Sequence, residues 1–266
     1  MESTAGTGRA APAPRASGHI MAGLGALVAL LLVAGCERGG QAVPPAAAPR
    51  GFSALTPSPL PRVSLGVLGP ELALAAAYRG AYEFSSDWFT SNLPVWQRAL
   101  APYAGRRGLR YLEVGVFEGR SVLWMLENLL TDPGARATVI DPFEGDLKDR
   151  FLANLRMSGQ ERKVTVIVGY SQIELRGQPL GSYDIAYIDG SHSADDVLED
   201  AVLTFRLLKP GGLLIFDDYA WRPGSDRVED WPGPGLDAFY TLYGRHFDVV
   251  HVGYQLILRR RSDTPR

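Results

Sequence analysis

An α/β fold with a doubly wound, mostly parallel sheet is predicted by three observations. Strand-like apolar runs alternate with helix-like runs from about residue 108 to residue 216, the mark of repeated β-α-β units. The five strand-like runs are apolar on both faces, so helices must cover both sides of the sheet. The chain then ends in two adjacent strand-like runs, "FDVVHVG" and "YQLILRR", with no room for a helix between them. They form an antiparallel hairpin, because a parallel pair needs a crossover of about a dozen residues.

Taken in order, "ELALAAAYRGAYEF" (71–84) suits a helix on its Ala and Leu content, and "LPVWQRALAPYAG" (93–105) another, ended by Pro102 and Gly105. "LRYLEVG" reads as the first strand and "RSVLWMLENLL" as a helix closed by "DPG". "ATVID" is the second strand. "DLKDRFLANLRMSG" is a helix with Phe151, Leu152 and Leu155 on one face. "KVTVIVG" and "YDIAYID" are the third and fourth strands. "ADDVLEDAVLTFRLL" is a helix that Ser193 caps and "KPGG" ends, before the fifth strand "LLIFDD".

The first 60 residues differ. An Ala/Gly/Pro/Ser-rich start with Arg9 and Arg15 leads into an uncharged, mostly apolar run, 20–35, and then Cys36. Residues 1–36 read as a secretory signal, "LVAGC" being similar to a bacterial lipoprotein signal, or as a membrane anchor through 20–36. The blander reading is an unstructured extension. Residues 37–64 are a Pro/Ala-rich linker, and 65–266 the folded domain. A membrane-associated protein is the leading expectation, with a cytoplasmic one as the alternative. The chain of 266 residues has a net charge of −2, so no broad basic field for nucleic acid. Its one cysteine excludes a disulfide framework and a Cys-rich zinc site.

Ligands of open α/β sheets sit beyond the carboxyl ends of the strands. Those ends carry Glu113-Val-Gly115, Asp141, Gly169-Tyr-Ser171, Asp189-Gly-Ser-His192 and Asp217-Asp218. Gly115 permits a sharp turn and close ligand approach. Gly119 opens a helix whose amides favour an anionic group. The spacing is G-x-x-x-G rather than G-x-G-x-x-G, which disfavours a dinucleotide. Asp141, 22 residues after Gly119, is placed to accept ribose hydroxyls. Asp189, Asp217 and Asp218 on two adjacent tips would repel one another without a cation, and a divalent ion is a means of activating a hydroxyl. Asp217 and Asp218 as loop caps or partners of Arg222 or Arg227 are the competing reading. His192 is a candidate general base, or else a residue that orients its loop. The segments 82–96 and 219–235, both with tryptophans, bracket the site as candidate covers for a ring-shaped acceptor.

"EVGVFEGRS", "IDPF" and "YDIAYIDGSHSADDVLEDAVLTFRLLKPGGLLIFDDY" resemble class I S-adenosylmethionine-dependent methyltransferases, in the O-methyltransferase branch of catechol-type and macrolide-sugar enzymes. The resemblance implies a Rossmann-like sheet of seven strands with the last antiparallel. It places Glu113, Gly115 and Gly119 beside the methionine part of S-adenosylmethionine, and Ser121 on its carboxylate. It gives Asp141 the ribose, Phe143 and Ser171 the adenine, and Asp189, Asp217 and Asp218 a divalent metal such as magnesium. The Asp217-Asp218 pair departs from the Asp-Asn of catechol-type enzymes. The expected reaction is O-methylation of a small sugar or phenol, with His192 and Asp189 at the chemistry. The alternatives are an NAD-dependent oxidoreductase and a membrane-tethered, non-catalytic relative; a homo-oligomer is also open.

Overall fold

A computed structural model describes residues 60–61 and 78–262 of the chain. The segment read as signal or anchor, most of the linker, and residues 71–77 lie outside the described residues. Among those described, no helix is long and apolar enough to cross a membrane.

The sheet has seven strands: β1 (Arg110–Val114), β2 (Arg136–Asp141), β3 (Val164–Val168), β4 (Tyr183–Ile188), β5 (Leu208–Phe216), β6 (Phe247–Val252) and β7 (Leu256–Arg260). Their order is β3-β2-β1-β4-β5-β7-β6. The first five are parallel, and β7 is antiparallel to both its neighbours. Strand order reverses between β1 and β4, so the ligand-binding crevice of such a sheet falls at their tips.

Alternation of side chains assigns each strand to two cores. Tyr111, Val139, Ile185, Tyr187, Leu213 and Ile215 face one layer with α1 (Leu93–Leu100), α2 (Arg120–Asn128) and α3 (Leu147–Ser158). Leu112, Ile140, Ala186, Leu214 and Phe216 face the other, with α5 (Ala194–Leu207) and α6 (Pro232–Tyr243). Between them, α4 (Ser171–Glu174) is a single turn after β3. Leu60, from the stretch read as linker, is buried in the second layer.

Three expectations need correction. Residues 78–84 are not helical. They run as an irregular strap, because the buried Glu127 of α2 accepts the N–H groups of Arg79 (2.7 Å) and Gly80 (3.0 Å) and the hydroxyl of Tyr82 (2.6 Å). The tip-covering segment 219–235 is not all loop, since α6 starts at Pro232. Proline at the first helical turn is compatible with a helix, and Gly235 is needed there because a Cβ would meet the Ala194 carbonyl oxygen at 2.0 Å. "KPGG" does not merely end α5: β5 begins at Leu208, with an irregular register against β4 up to Leu213.

Candidate active site

The parallel ladder continues one step past the strands. Gly115 N–H donates to Ile140 O, Gly169 N–H to Asp141 O, Asp189 N–H to Val114 O and Asp217 N–H to Ile188 O, all at 2.8–3.1 Å. The predicted tip residues therefore stand level at one edge of the sheet. Three non-glycine residues with positive φ lie in these tips or the loops after them: Phe117 (51°), Phe143 (51°) and Asp218 (56°). Such backbone costs about 1–3 kcal/mol per residue and persists where the surroundings impose it.

The β1 tip is built inward. Glu113 is fully buried and accepts the hydroxyls of Tyr111 (2.7 Å) and Ser121. Burial pushes its carboxyl up to about 8. Ser121 is thus engaged with Glu113. Gly115 has a φ of 78°, and a Cβ there would meet the Asp189 carbonyl oxygen at 1.9 Å. The close approach that requires this glycine comes from the β4 tip of the chain itself. Gly119, with a φ of 89°, is required by Phe151, 2.6 Å from a Cβ position.

Asp141 holds the loop after β1. Its Oδ2 accepts the N–H groups of Val116 (2.6 Å) and Phe117 (3.1 Å), and its Oδ1 that of Phe143 (2.6 Å). Phe143 stacks on Phe151 at 5.6 Å and is 8% exposed, so only a rim of its ring is open to a ligand. Ser171 is half-buried at the start of α4. The buried Glu118 accepts Ser85 N–H (2.6 Å), Ser85 Oγ–H (2.8 Å) and Arg150 Nη1–H (3.0 Å). It pins the strap beside the glycine turn, where Trp88, 71% exposed, packs on Phe117 at 5.1 Å.

At the neighbouring tips, one donor atom each from Asp189, His192 and Asp218 lies within 4.8 Å of the others. His192 Nε2 is 2.8 Å from Asp218 Oδ2, and its ring lies 5.0 Å from that of Trp221. The hydrogen bond to Asp218 raises the imidazole's pKa. Burial, with the charges of Asp217 and Asp218, pushes Asp189 well above the usual carboxylate range. Asp217 is placed differently from Asp218. Its Oδ2 accepts the Tyr187 hydroxyl and Asn92 Nδ2–H (3.3 Å), its Oδ1 accepts Asp218 N–H (2.9 Å), and burial raises it. The cluster therefore has His192 where the sequence reading put Asp217.

Tyr187, Asn92 and Tyr254 are site residues that sequence reasoning missed. Tyr187 O–H contacts both Asp189 Oδ2 (2.9 Å) and Asp217. A signal for it existed: it sits two residues before Asp189 on one strand face, as Tyr111 does before Glu113. Tyr254, at the β6–β7 turn, donates to Asp218 Oδ1 from 36 residues away in sequence. Asn92 lies 125 residues from Asp217.

Residues 112–219 match a family model described as a methyltransferase domain. "Uncharacterized protein R132" of Acanthamoeba polyphaga mimivirus is 32% identical over 125 residues, covering 43% of this chain and 55% of that protein, so the match spans about half the length of the curated relative. The solved structure of cofactor-bound Rv0187 from MTB is similar at 18% identity and a TM-score of 0.51, over 69% of this chain and 85% of that one. A Corynebacterium glutamicum protein is similar at 19% identity and a TM-score of 0.51, over 68% and 84%. These two structures share the fold. The sheet order and the level strand tips are those of a Rossmann-like methyltransferase fold, and the segment similar to a methyltransferase domain, 112–219, runs from β1 to just past β5.

Proposed function

We propose that the protein transfers a methyl group from S-adenosylmethionine to the hydroxyl of a small sugar or phenol. The observation that carries this reading is the His192–Asp218 pair at adjacent tips of β4 and β5, beside the turn at Gly115.

The tips gather Glu113, Asp141, Asp189, Asp217 and Asp218 at one edge, and burial pushes Glu113 and Asp189 upward. Both shifts keep these carboxyl groups neutral until a cation offsets their crowding, which the sulfonium and ammonium charges of the donor would do. When bound, S-adenosylmethionine supplies an electrophilic methyl group on a cationic sulfur. The residues of the chain must then orient the acceptor and remove its proton. Asp218 accepts the Nε2–H of His192, which leaves the Nδ1 lone pair to take the proton. The ion pair stabilises the imidazolium that results. Trp221 against His192, and Trp88 over Phe117, offer aromatic faces for a flat or ring-shaped acceptor.

The donor set Asp189, His192 and Asp218 also fits a divalent cation. Its two carboxylates suit magnesium, and the imidazole admits manganese or zinc. Such an ion supplies Lewis acidity that lowers the pKa of a bound hydroxyl. In that second reading His192 is a ligand instead of the base.

The test is calorimetric titration with S-adenosylmethionine, followed by methyl transfer to sugar and phenol panels with magnesium or with a chelator. Saturable binding and labelled product are expected, with His192→Ala binding the donor but not turning over. Turnover abolished by the chelator selects the cation reading. A protein that does not bind S-adenosylmethionine overturns both.

A further inference from the structure

Two cavities of about 320 and 300 Å³ adjoin at the end of the sheet opposite the acidic tips, sharing Gly211 and Arg259. We propose that they form a binding site for a phosphate group, held between the guanidinium groups of Arg106 and Arg259 over a glycine floor. The site is independent of the methyl-transfer reading.

The charges around it fall into two groups. Asp184 is matched by Lys209, whose Nζ lies 2.7 Å from its Oδ2, and also accepts Arg110 N–H at 2.8 Å. Asp248 is matched by Arg261 at 2.8 Å. Arg260 is buried and donates to the carbonyls of Leu208 and Phe205. Arg106 and Arg259 have no carboxylate within ion-pair distance among the described residues. Two positive charges with no carboxylate partner among the described residues thus face one cavity, on a chain whose net charge is −2. A phosphate monoester carries nearly two negative charges near neutral pH, whereas a single carboxylate would leave one guanidinium unbalanced.

Tyr103 holds both cations in place. Its ring is buried, Arg106 lies over it at 4.6 Å, and its hydroxyl donates to Gly211 O at 2.8 Å. Arg259 sits close enough to the phenol to hydrogen-bond it and lower its pKa against the rise from burial. A planar guanidinium fixed by stacking loses little freedom on binding an oxyanion, and its fork matches two oxygens of one phosphate. Below them, Gly211 has a φ of 77°, and among the described residues only Ser262 Oγ, at 3.9 Å, lies near its Cβ position. The floor therefore leaves room for an oxyanion beside the guanidinium groups.

The experiment titrates the full chain with inorganic phosphate at constant ionic strength, read by 31P NMR. Saturable binding is expected. Arg106→Gln, an exposed change that spares the fold, should weaken it about tenfold, the usual loss for one charge-assisted hydrogen bond. Arg259→Gln added to it should abolish binding. Arg107→Gln, at a neighbouring arginine paired to Asp132, should leave it unchanged. A second arm uses phosphatidic acid vesicles against phosphatidylcholine vesicles. Binding to the acidic vesicles alone, lost in Arg106→Gln, makes the phosphate a lipid headgroup, and binding of inorganic phosphate makes it a soluble one. No binding in either arm, or equal binding by Arg106→Gln, overturns the proposal.

Discussion

His192 Nε2 lies 2.8 Å from Asp218 Oδ2, so an imidazole from the β4 tip and a carboxylate from the β5 tip act as one ionisable unit. The hydrogen bond is the largest cause of the raised imidazole pKa, ahead of the opposing effect of burial. A base must be neutral to accept a proton, so turnover should rise with pH through a midpoint above the ordinary value of about 6.5. Asp218→Asn removes the charge and should move that midpoint down. The imidazole NMR titration of both proteins checks this directly. An unmoved midpoint would mean that the pair does not form in solution.

Glu113 gives a stability signature of the opposite kind. Burial raises its carboxyl to about 8, so the folded protein holds a proton that the unfolded chain releases near 4.5. The unfolded state then binds fewer protons across that window, and stability falls as pH rises through it. The slope is about 1.4 kcal/mol per pH unit for one group. Glu113→Gln keeps the shape and removes the proton. Between pH 5.5 and 7.5, the wild type should lose roughly 2–3 kcal/mol of unfolding free energy that the variant retains, as measured by urea denaturation at each pH.

The parallel core was legible in the sequence because runs such as "YDIAYI" are apolar on both faces and no half-wet sheet accommodates them. The acids at the strand tips were legible for the same reason: a run that must be a strand must also end. The strap of residues 78–92 was not. Local Ala and Leu content favours a helix, and the competing anchor, Glu127, is 45 residues from Tyr82. The start of α6 was hidden by "PGPG", whose glycines answer to contacts with Ala194 and Tyr219. Asn92 and Tyr254 reach the site only through tertiary packing, which no local spacing records. Asp217 and Asp218 looked alike as neighbours, yet a positive φ at Asp218 turns their side chains to different partners.

Gly115 tests whether the two central tips are fitted to each other. Its Cβ position coincides with the Asp189 carbonyl, and its φ is 78°. Gly115→Ala therefore adds backbone strain to an overlap with main chain, and should cost about 2–4 kcal/mol. Gly105→Ala is the control, since it has a φ of 71° with nothing among the described residues within 4 Å of its Cβ position. It should cost only about 1 kcal/mol from conformation. Equal losses in denaturant unfolding would show that the β1–β4 contact is looser than the geometry requires.

Glu127 decides whether the strap stays against the domain. Its carboxylate is 8% exposed and receives two backbone N–H groups and one phenol, all from residues 79–82. Tyr82 in turn packs edge-on against Tyr78 at 5.8 Å and beside Phe84, over which Arg120 lies at 4.0 Å. Removing the carboxylate strands those donors away from a partner, at about 1–3 kcal/mol for a buried group and more for a charged one. Glu127→Ala should lower stability by about 3 kcal/mol, and Glu127→Gln by less, because the amide oxygen still accepts. Global stability alone would not separate the strap from the core. Trypsin cleavage after Arg79 and hydrogen exchange at Gly80 read the strap itself, and both should accelerate in Glu127→Ala at denaturant concentrations where the sheet remains protected. Since the strap carries Trp88 and Asn92 to the strand tips, its release should also weaken acceptor binding while leaving the far-end phosphate site intact. A variant that loses stability with no change at Arg79 or Gly80 would locate the role of Glu127 in α2 packing instead.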